Sequence, residues 1–195
     1  MSKDKEINIV ISGVGGQGLI TLGKVLARAA FLEGKDVKMS ELHGLSQRGG
    51  SVSVQVRFGK KVYSPLISAQ GADLVIAMER NEALKSCLLA DKKKTIFLIN
   101  DLSIFSPSFG DKKLDSIEII KKKILPFGKK IYPIKATEIT TKKFDMPVLA
   151  GIYTLGYGIF NGFIPLEPKN VLKAIEDIVS RGLKENKKAF NLTKV

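Results

Sequence analysis

Residues 6–33 read EINIVISGVGGQGLITLGKVLARAAFLE, and this stretch decides the fold class. The segment from Glu6 to Ser12 is a short apolar run that ends at a glycine, which is typical of a buried strand in a parallel sheet. From Gln17 to Glu33 the apolar residues recur at helical spacing, and Gly34 is placed to end the helix. The stretch therefore predicts a strand, a glycine turn and a helix.

The residues that follow extend this unit into a sheet. Residues 36–40 predict a second strand, so the first 40 residues form a βαβ unit if the two strands are parallel neighbours. Apolar and polar residues then alternate from Ser51 to Phe58, as in a half-buried strand. Gly59-Lys60 offers a hairpin turn into a further strand at residues 61–64. A hairpin beside a βαβ unit predicts a mixed sheet.

The rest of the chain adds elements of both kinds. Apolar runs predict strands at 73–78, 95–100 and 130–134, and helices at 81–89, 117–124, 146–162 and 168–181. Residues 101–115, which contain Pro107 and Gly110, predict an exposed loop. We expect residues 1–195 to form one domain, an α/β fold with three α/β/α layers, Rossmann-like, around a mostly parallel, mixed sheet.

An uncharged run of 21 residues lies between Asp145 and Glu167 and is long enough to raise the question of a membrane span. Its glycines, prolines and Asn161 shorten any helix within it. We therefore expect a helix buried in the protein core, where the small residues allow close packing, and no membrane partner.

The charge of the chain is strongly positive, with 32 Lys and Arg against 19 Asp and Glu and a net charge of +13. Such a charge favours polyanions, which include nucleic acids, phosphorylated cofactors and acidic proteins. Most of the excess lies in short lysine runs, which are usually solvated surfaces. Because no recognition motif accompanies them, we expect no nucleic acid partner.

Cysteine usage limits the redox chemistry of the chain. Cys87 is the single cysteine, whereas an iron–sulfur cluster normally requires about four thiolates. An apolar helix face is the expected environment of Cys87. The single His43 leaves no convincing metal site, so we expect none. With no intrachain disulfide possible, and a glycine turn interrupting the first apolar run before it reaches signal-peptide length, we expect a cytoplasmic protein.

The turn Gly13-Val14-Gly15-Gly16-Gln17-Gly18 matches G-x-G-x-x-G in its proper context, after a strand and before a helix. Such glycines let the backbone approach a ligand and leave the helix amide groups open to an anion. They can also serve packing alone. Glu41 stands near the position of the acidic residue that binds the ribose of NAD, so a stand-alone NAD- or NADP-binding protein is an alternative interpretation.

A second polar loop, Ser40 to Gly50, carries Arg48 between glycines and is expected at the same sheet edge as the glycine turn. Neither loop contains a nucleophile paired with a base, so we expect no catalytic residue. Carboxylates elsewhere occur singly and are interpreted as helix surfaces: Glu79, Glu82 and Glu118. The sequence thus predicts a binding surface.

These two loops together resemble the gamma domain of 2-oxoacid:ferredoxin oxidoreductases, with the beta subunit of indolepyruvate ferredoxin oxidoreductases as the closest variant. The resemblance continues through Gly71 to Leu74 and Glu79 to Ala83, and reaches Asn186 to Phe190. It implies a subunit, inactive alone, of a hetero-oligomer that decarboxylates a 2-oxoacid, such as an arylpyruvate, to an acyl-CoA and reduces ferredoxin.

The resemblance also implies a division of labour between subunits. Thiamine diphosphate and the iron–sulfur clusters belong to a catalytic partner, and coenzyme A acts in the complex. Ferredoxin is a partner of the whole complex and interacts with this chain only through it. This chain covers the approach to the partner's active site. The implied cofactor-proximal residues are Gly13, Gly15, Gly16, Gln17 and Gly18 of the turn, and Ser46, Gln47, Arg48, Gly49 and Gly50 of the second loop.

Overall fold

The computed structural model describes residues 6–43, 50–104 and 115–194. Within these ranges, the strands lie at β1 Ile7–Val14, β2 Asp36–His43, β3 Ser51–Gly59, β4 Leu74–Ala77, β5 Ile96–Asn100 and β6 Lys130–Ile134. The α-helices of the described residues lie at α1 Leu19–Leu32, α2 Arg80–Lys85, α3 Ile117–Ile124, α4 Ala136–Phe144, α5 Ala150–Phe160, α6 Pro168–Ile178 and α7 Leu183–Asn191. Two 3₁₀ turns follow α2 and α4, at Ser86–Leu89 and Pro147–Leu149. Most of the predicted loop at 101–115 falls outside the described residues.

The sheet has the strand order β2-β3-β1-β4-β5-β6, and β3 alone among these strands runs in the opposite direction. The prediction that β1 and β2 are parallel neighbours is therefore wrong, because β3 lies between them. Ser51–Phe58 pairs with β1 residue by residue, and the same strand pairs with the whole of β2 on its other side. The predicted mixed, mostly parallel sheet is confirmed.

The predicted hairpin after β3 is also wrong, since residues 61–64 form no strand. Side chains take over the hydrogen bonds that a strand partner would make. The Asp36 carboxylate accepts from the Val62 N–H at 2.8 Å. The Arg57 guanidinium donates to the carbonyls of Ser64 at 2.8 Å and Leu66 at 2.7 Å. Because these backbone groups have side-chain hydrogen-bond partners, the segment after β3 forms a loop and needs no strand partner.

The hydrophobic core consists of two layers, one on each face of the sheet. Side chains alternate along a strand, so Ile9 and Ile11 pack with α1, α5, α6 and α7 on one face. Val10 lies between them and packs on the opposite face with α2 and α3. This alternation confirms the predicted α/β/α arrangement.

The uncharged run contains α5, which is buried in the first of these layers, as predicted. A Cβ placed on Gly156 would lie 2.4 Å from the Phe190 carbonyl oxygen, and one on Gly158 would lie 2.8 Å from Ile164 Cδ1. These glycines therefore permit the close approach of the C-terminal segments to α5. Within the described ranges, no helix combines the length and the apolar character needed to cross a membrane.

Two helices, α4 and α7, were not predicted. Only Ala136 and Thr140 of α4 are buried, and Lys184, Lys187 and Lys188 dominate the surface of α7. So few buried positions give no clear helical period. Packing against α5 stabilises both helices.

Candidate functional site

The glycine turn connects β1 to α1 and leaves the first turn of the helix open. Gly16 and Gly18 have φ angles of 97° and 74°, which favour glycine strongly over other residues. Gly18 is the N-cap of α1, and no described side chain caps the helix. The amide groups at the start of α1 and its positive dipole end are consequently available to an anionic group. Gly15 and Gly16 are exposed, as a ligand-facing turn requires.

The side chain of Gln17 holds this turn in place. Its Oε1 accepts from the Val14 N–H at 2.7 Å, and its Nε2 donates to the Met78 carbonyl at 3.0 Å. Gly13 is buried beneath it, where an added Cβ would lie 2.5 Å from Gln17 Oε1. Gln17 and Gly13 thus stabilise the conformation that exposes the other glycines.

The second predicted loop meets the glycine turn. The Gly15 N–H donates to the Gly50 carbonyl at 3.0 Å. Since β1 and β2 both run antiparallel to β3, their carboxyl ends lie at the same edge, where β3 begins. The end of β2 and the glycine turn therefore lie at the same sheet edge, although β1 and β2 are separated by β3. Four other predicted site residues lie outside the described residues: Ser46, Gln47, Arg48 and Gly49.

The chain changes direction between β1 and β4, which are parallel neighbours at the centre of the sheet. From β1 it continues through α1 on one face towards β2, and from β4 through α2 on the other face towards β5. In open α/β sheets the crevice at such a switch point is the usual ligand position. Here the switch point lies between the glycine turn after β1 and residues 78–81 after β4.

Two carboxylates behind this crevice were predicted to lie on helix surfaces, but Glu79 and Glu82 are only 2% and 5% exposed. Glu79 caps α2 by accepting from the N–H groups of Asn81 at 2.6 Å and Glu82 at 3.0 Å. Burial raises the pKa of the Glu79 carboxyl above its ordinary value. The exposed Glu118 agrees with the prediction.

Glu82 joins the bases of the two loops. Its carboxylate accepts from the hydroxyl of Ser51, the residue after Gly50, and from Lys85 Nζ at 2.6 Å. Its backbone carbonyl accepts from the Ser12 hydroxyl at 3.3 Å. Glu82 therefore helps to fix the end of β1 relative to the start of β3, and sequence gave no sign of this long-range contact.

A cavity of about 280 Å³ adjoins the open end of α1. Gln17, Gly18 and Thr21 line one side, and the segment from Ile178 to Arg181 lines another. Arg181 is the cationic side chain among the described lining residues, so the cavity combines its positive charge with the open amide groups of α1. Sequence reasoning missed this segment, which lies far along the chain from the glycine turn. The arrangement can bind an anionic or amphipathic group through hydrogen bonds and packing.

The position of Glu41 disfavours the NAD alternative. In a dinucleotide-binding fold the acidic residue ends the strand next to the glycine turn. Here β3 separates β1 from β2, so Glu41 lies two strand spacings, about 9 to 10 Å, from β1. The ribose-binding geometry is therefore absent from this pair of strands.

Cys87 lies in the 3₁₀ turn after α2 and is buried, as expected, in an apolar environment. Its Sγ donates to the Ala83 carbonyl at 3.6 Å. Burial raises the pKa of the Cys87 thiol to about 11. The side chain thus packs as an apolar group, because a thiolate is the form that binds metals or acts as a nucleophile.

Comparison with known proteins identifies this architecture. The family model for pyruvate ferredoxin/flavodoxin oxidoreductase matches residues 8–194. Indolepyruvate oxidoreductase subunit IorB from Archaeoglobus fulgidus is 37% identical over 163 residues, covering 78% of this chain and 80% of the relative.

Two solved structures have the same fold. Pyruvate oxidoreductase subunit PORC from Thermotoga maritima superposes with a TM-score of 0.73 at 21% identity, covering 98% of this chain and 96% of its own. A 2-oxoglutarate:ferredoxin oxidoreductase chain from Magnetococcus marinus gives 0.74 at 21% identity, covering 98% of this chain but 31% of the longer one. By the family model and the Archaeoglobus relative, the chain belongs to the pyruvate ferredoxin/flavodoxin oxidoreductase family and corresponds to a small subunit of a 2-oxoacid:ferredoxin oxidoreductase.

Proposed function

We propose that this chain is the non-catalytic subunit of a 2-oxoacid:ferredoxin oxidoreductase and covers the active site of a catalytic partner with its glycine-turn edge. The observation that carries the proposal is the hydrogen bond from the Gly15 N–H to the Gly50 carbonyl, which links the exposed glycine turn to the residue just before β3. An exposed, preorganised backbone surface suits contact with another subunit, because few groups must be ordered on binding.

Apolar side chains at the same edge support a protein partner. Val148 is 53% exposed, and one of its methyl groups would lie 3.7 Å from a Cβ on Gly18. Leu42, near the carboxyl end of β2, is 48% exposed. Exposed apolar groups beside polar backbone are typical of protein–protein contact sites.

The proposed complex needs cofactors that this chain does not fit by itself. A cluster site needs several thiolates, whereas Cys87 is single, buried and protonated at neutral pH. Thiamine diphosphate and the iron–sulfur clusters are therefore assigned to the partner, where they supply decarboxylation and electron transfer. The open start of α1 and Arg181 suit an anionic group such as a phosphate of coenzyme A.

The name of the Archaeoglobus relative supports an arylpyruvate such as indolepyruvate as the substrate. We propose, in addition, a hetero-oligomer in the cytoplasm, with residues 1–195 forming one domain. A panel of pyruvate, 2-oxoglutarate and indolepyruvate, supplied to the purified complex with coenzyme A and ferredoxin, tests the substrate. Turnover of the aliphatic acids in preference to indolepyruvate would contradict the arylpyruvate assignment.

A matched pair of charge insertions tests the docking edge. Val148→Asp places a carboxylate beside the glycine turn, and Leu88→Asp places one on a more exposed residue near the opposite end of β4. Burying an unpaired charge is costly, so Val148→Asp should weaken co-purification with the catalytic subunit about tenfold or more. Leu88→Asp should assemble normally. Equal assembly of both variants would contradict docking through this edge.

A further inference from the structure

Four lysines surround an apolar centre where the end of α4 meets α7. This lysine surface consists of Lys143, Lys184, Lys187 and Lys188 around Phe144 and Leu192. It forms an open groove of about 610 Å³, and its described lining contains no acidic side chain. The groove lies next to the cavity at the glycine turn, because Met146 and Asn186 of the same two segments line that cavity.

Most of this charge is not neutralised within the chain. Lys187 pairs with Glu176, but Lys143, Lys184 and Lys188 have no carboxylate within 4.0 Å among residues 6–43, 50–104 and 115–194. Like charges held together on one surface repel each other, and an acidic partner relieves that repulsion. The surface therefore favours a negatively charged partner by charge complementarity.

We infer that the lysine surface docks the carboxylate-rich face of an acidic protein in a transient encounter. Permanent subunit interfaces are depleted of lysine. The lysine surface is therefore expected to remain exposed in the assembled complex, where another protein can bind to it transiently. Lysine is a mobile, strongly hydrated point charge, whereas tight phosphate sites favour the fixed fork of arginine. The open groove and the absence of arginine from its described lining therefore favour a protein surface over a small phosphorylated ligand.

A nucleic acid fits this geometry less well. Single-stranded nucleic acids bind to basic grooves that present aromatic rings for successive bases. Here Phe144 is the aromatic residue of the described lining, and it is only partly exposed. The half-buried Phe144 and Leu192 instead provide an apolar contact ringed by charge, as in transient protein interfaces.

Two variants of the full-length chain with equal charge test this inference. The first removes three unpaired lysines of the lysine surface: Lys143→Gln, Lys184→Gln and Lys188→Gln. The control removes three exposed lysines of α3 and the amino end of β6: Lys122→Gln, Lys129→Gln and Lys130→Gln. Fluorescence anisotropy measures binding of a short labelled poly-glutamate peptide and of a single-stranded oligonucleotide of equal charge at low ionic strength.

We expect the lysine-surface variant to bind poly-glutamate about tenfold more weakly, since each exposed ion pair contributes a modest amount. The control should lose less than about twofold, and added salt should narrow the difference. Equal losses in the two variants would overturn the inference, because net charge alone would then explain binding. Tighter binding of the oligonucleotide, lost in the lysine-surface variant, would overturn it in favour of nucleic acid.

Discussion

Removal of the Gln17 amide should loosen the turn on which the proposed function depends. In Gln17→Ala the Val14 N–H loses its acceptor at 2.7 Å and the Met78 carbonyl loses a donor at 3.0 Å. Met78 keeps the Asn100 amide as a donor at 3.1 Å, so the main loss falls on Val14. An unsatisfied buried donor costs about 1–3 kcal/mol. Because Gln17 is only partly buried, we expect the free energy of unfolding to fall by about 1–2 kcal/mol.

Urea unfolding of the isolated chain measures this loss, and Thr21→Ala is the control. Thr21 is exposed one turn along α1 and lines the same cavity. The control should change the free energy of unfolding by less than about 0.5 kcal/mol. The larger loss expected for Gln17→Ala corresponds to a melting temperature that is lower by about 2–8 °C. A Gln17→Ala variant as stable as the control would refute the claim that the amide holds the glycine turn.

Three further predictions concern the core and the buried ionisable groups. Gly156→Ala should lower the free energy of unfolding by about 1–3 kcal/mol, because its Cβ would lie 2.4 Å from a backbone oxygen. Gly151→Ala in the same helix meets only Leu22 at 3.5 Å and should be neutral or stabilising in the same urea titration. Because the pKa of Glu79 is raised on folding, the native state binds the extra proton, and this residue's contribution to stability falls as the pH rises above the carboxyl's ordinary pKa of 4.5. Urea titrations from pH 4 to 7 should show this component in the native chain and not in Glu79→Gln; identical pH profiles would contradict it. With a pKa raised from 9.0 to about 11, only about one Cys87 thiol in a thousand is ionised at pH 8, so a thiol reagent should react with the folded chain about a hundredfold more slowly than with the unfolded chain. Rapid reaction of the folded chain would show that Cys87 is accessible.

The local sequence pattern was sufficient to predict elements that follow one another directly in the chain. The apolar run of β1, the glycine turn and the periodic face of α1 follow one another, and each limits the next. The same reasoning could not identify the partner of β1, because an apolar strand fits any neighbour with matching side chains. Thus β3 was recognised as a strand, but its position between β1 and β2 was not.

The site was predicted to a similar extent. The glycine turn was recognisable because its motif follows a strand and precedes a helix, and Gly16 and Gly18 have the positive φ angles that favour glycine. The binding role of these residues and of Gly50 stays a prediction. Glu82 was assigned to a surface because its burial depends on Ser51, 31 positions earlier in the chain. Arg181 was missed for the same reason, since it reaches the cavity only through the packing of α6 and α7. Contacts of this kind depend on tertiary structure, which single-residue propensities do not encode.

Hydrogen–deuterium exchange tests the docking of the glycine-turn edge most directly. The isolated chain is compared with the same chain assembled with its catalytic subunit, because amides covered by a partner exchange more slowly. We predict slower exchange at residues 14–22 and 146–152 on assembly, with little change at residues 86–94 near the opposite end of the sheet. Protection confined to residues 86–94, with unchanged exchange at 14–22, would contradict an active-site cover built on this turn.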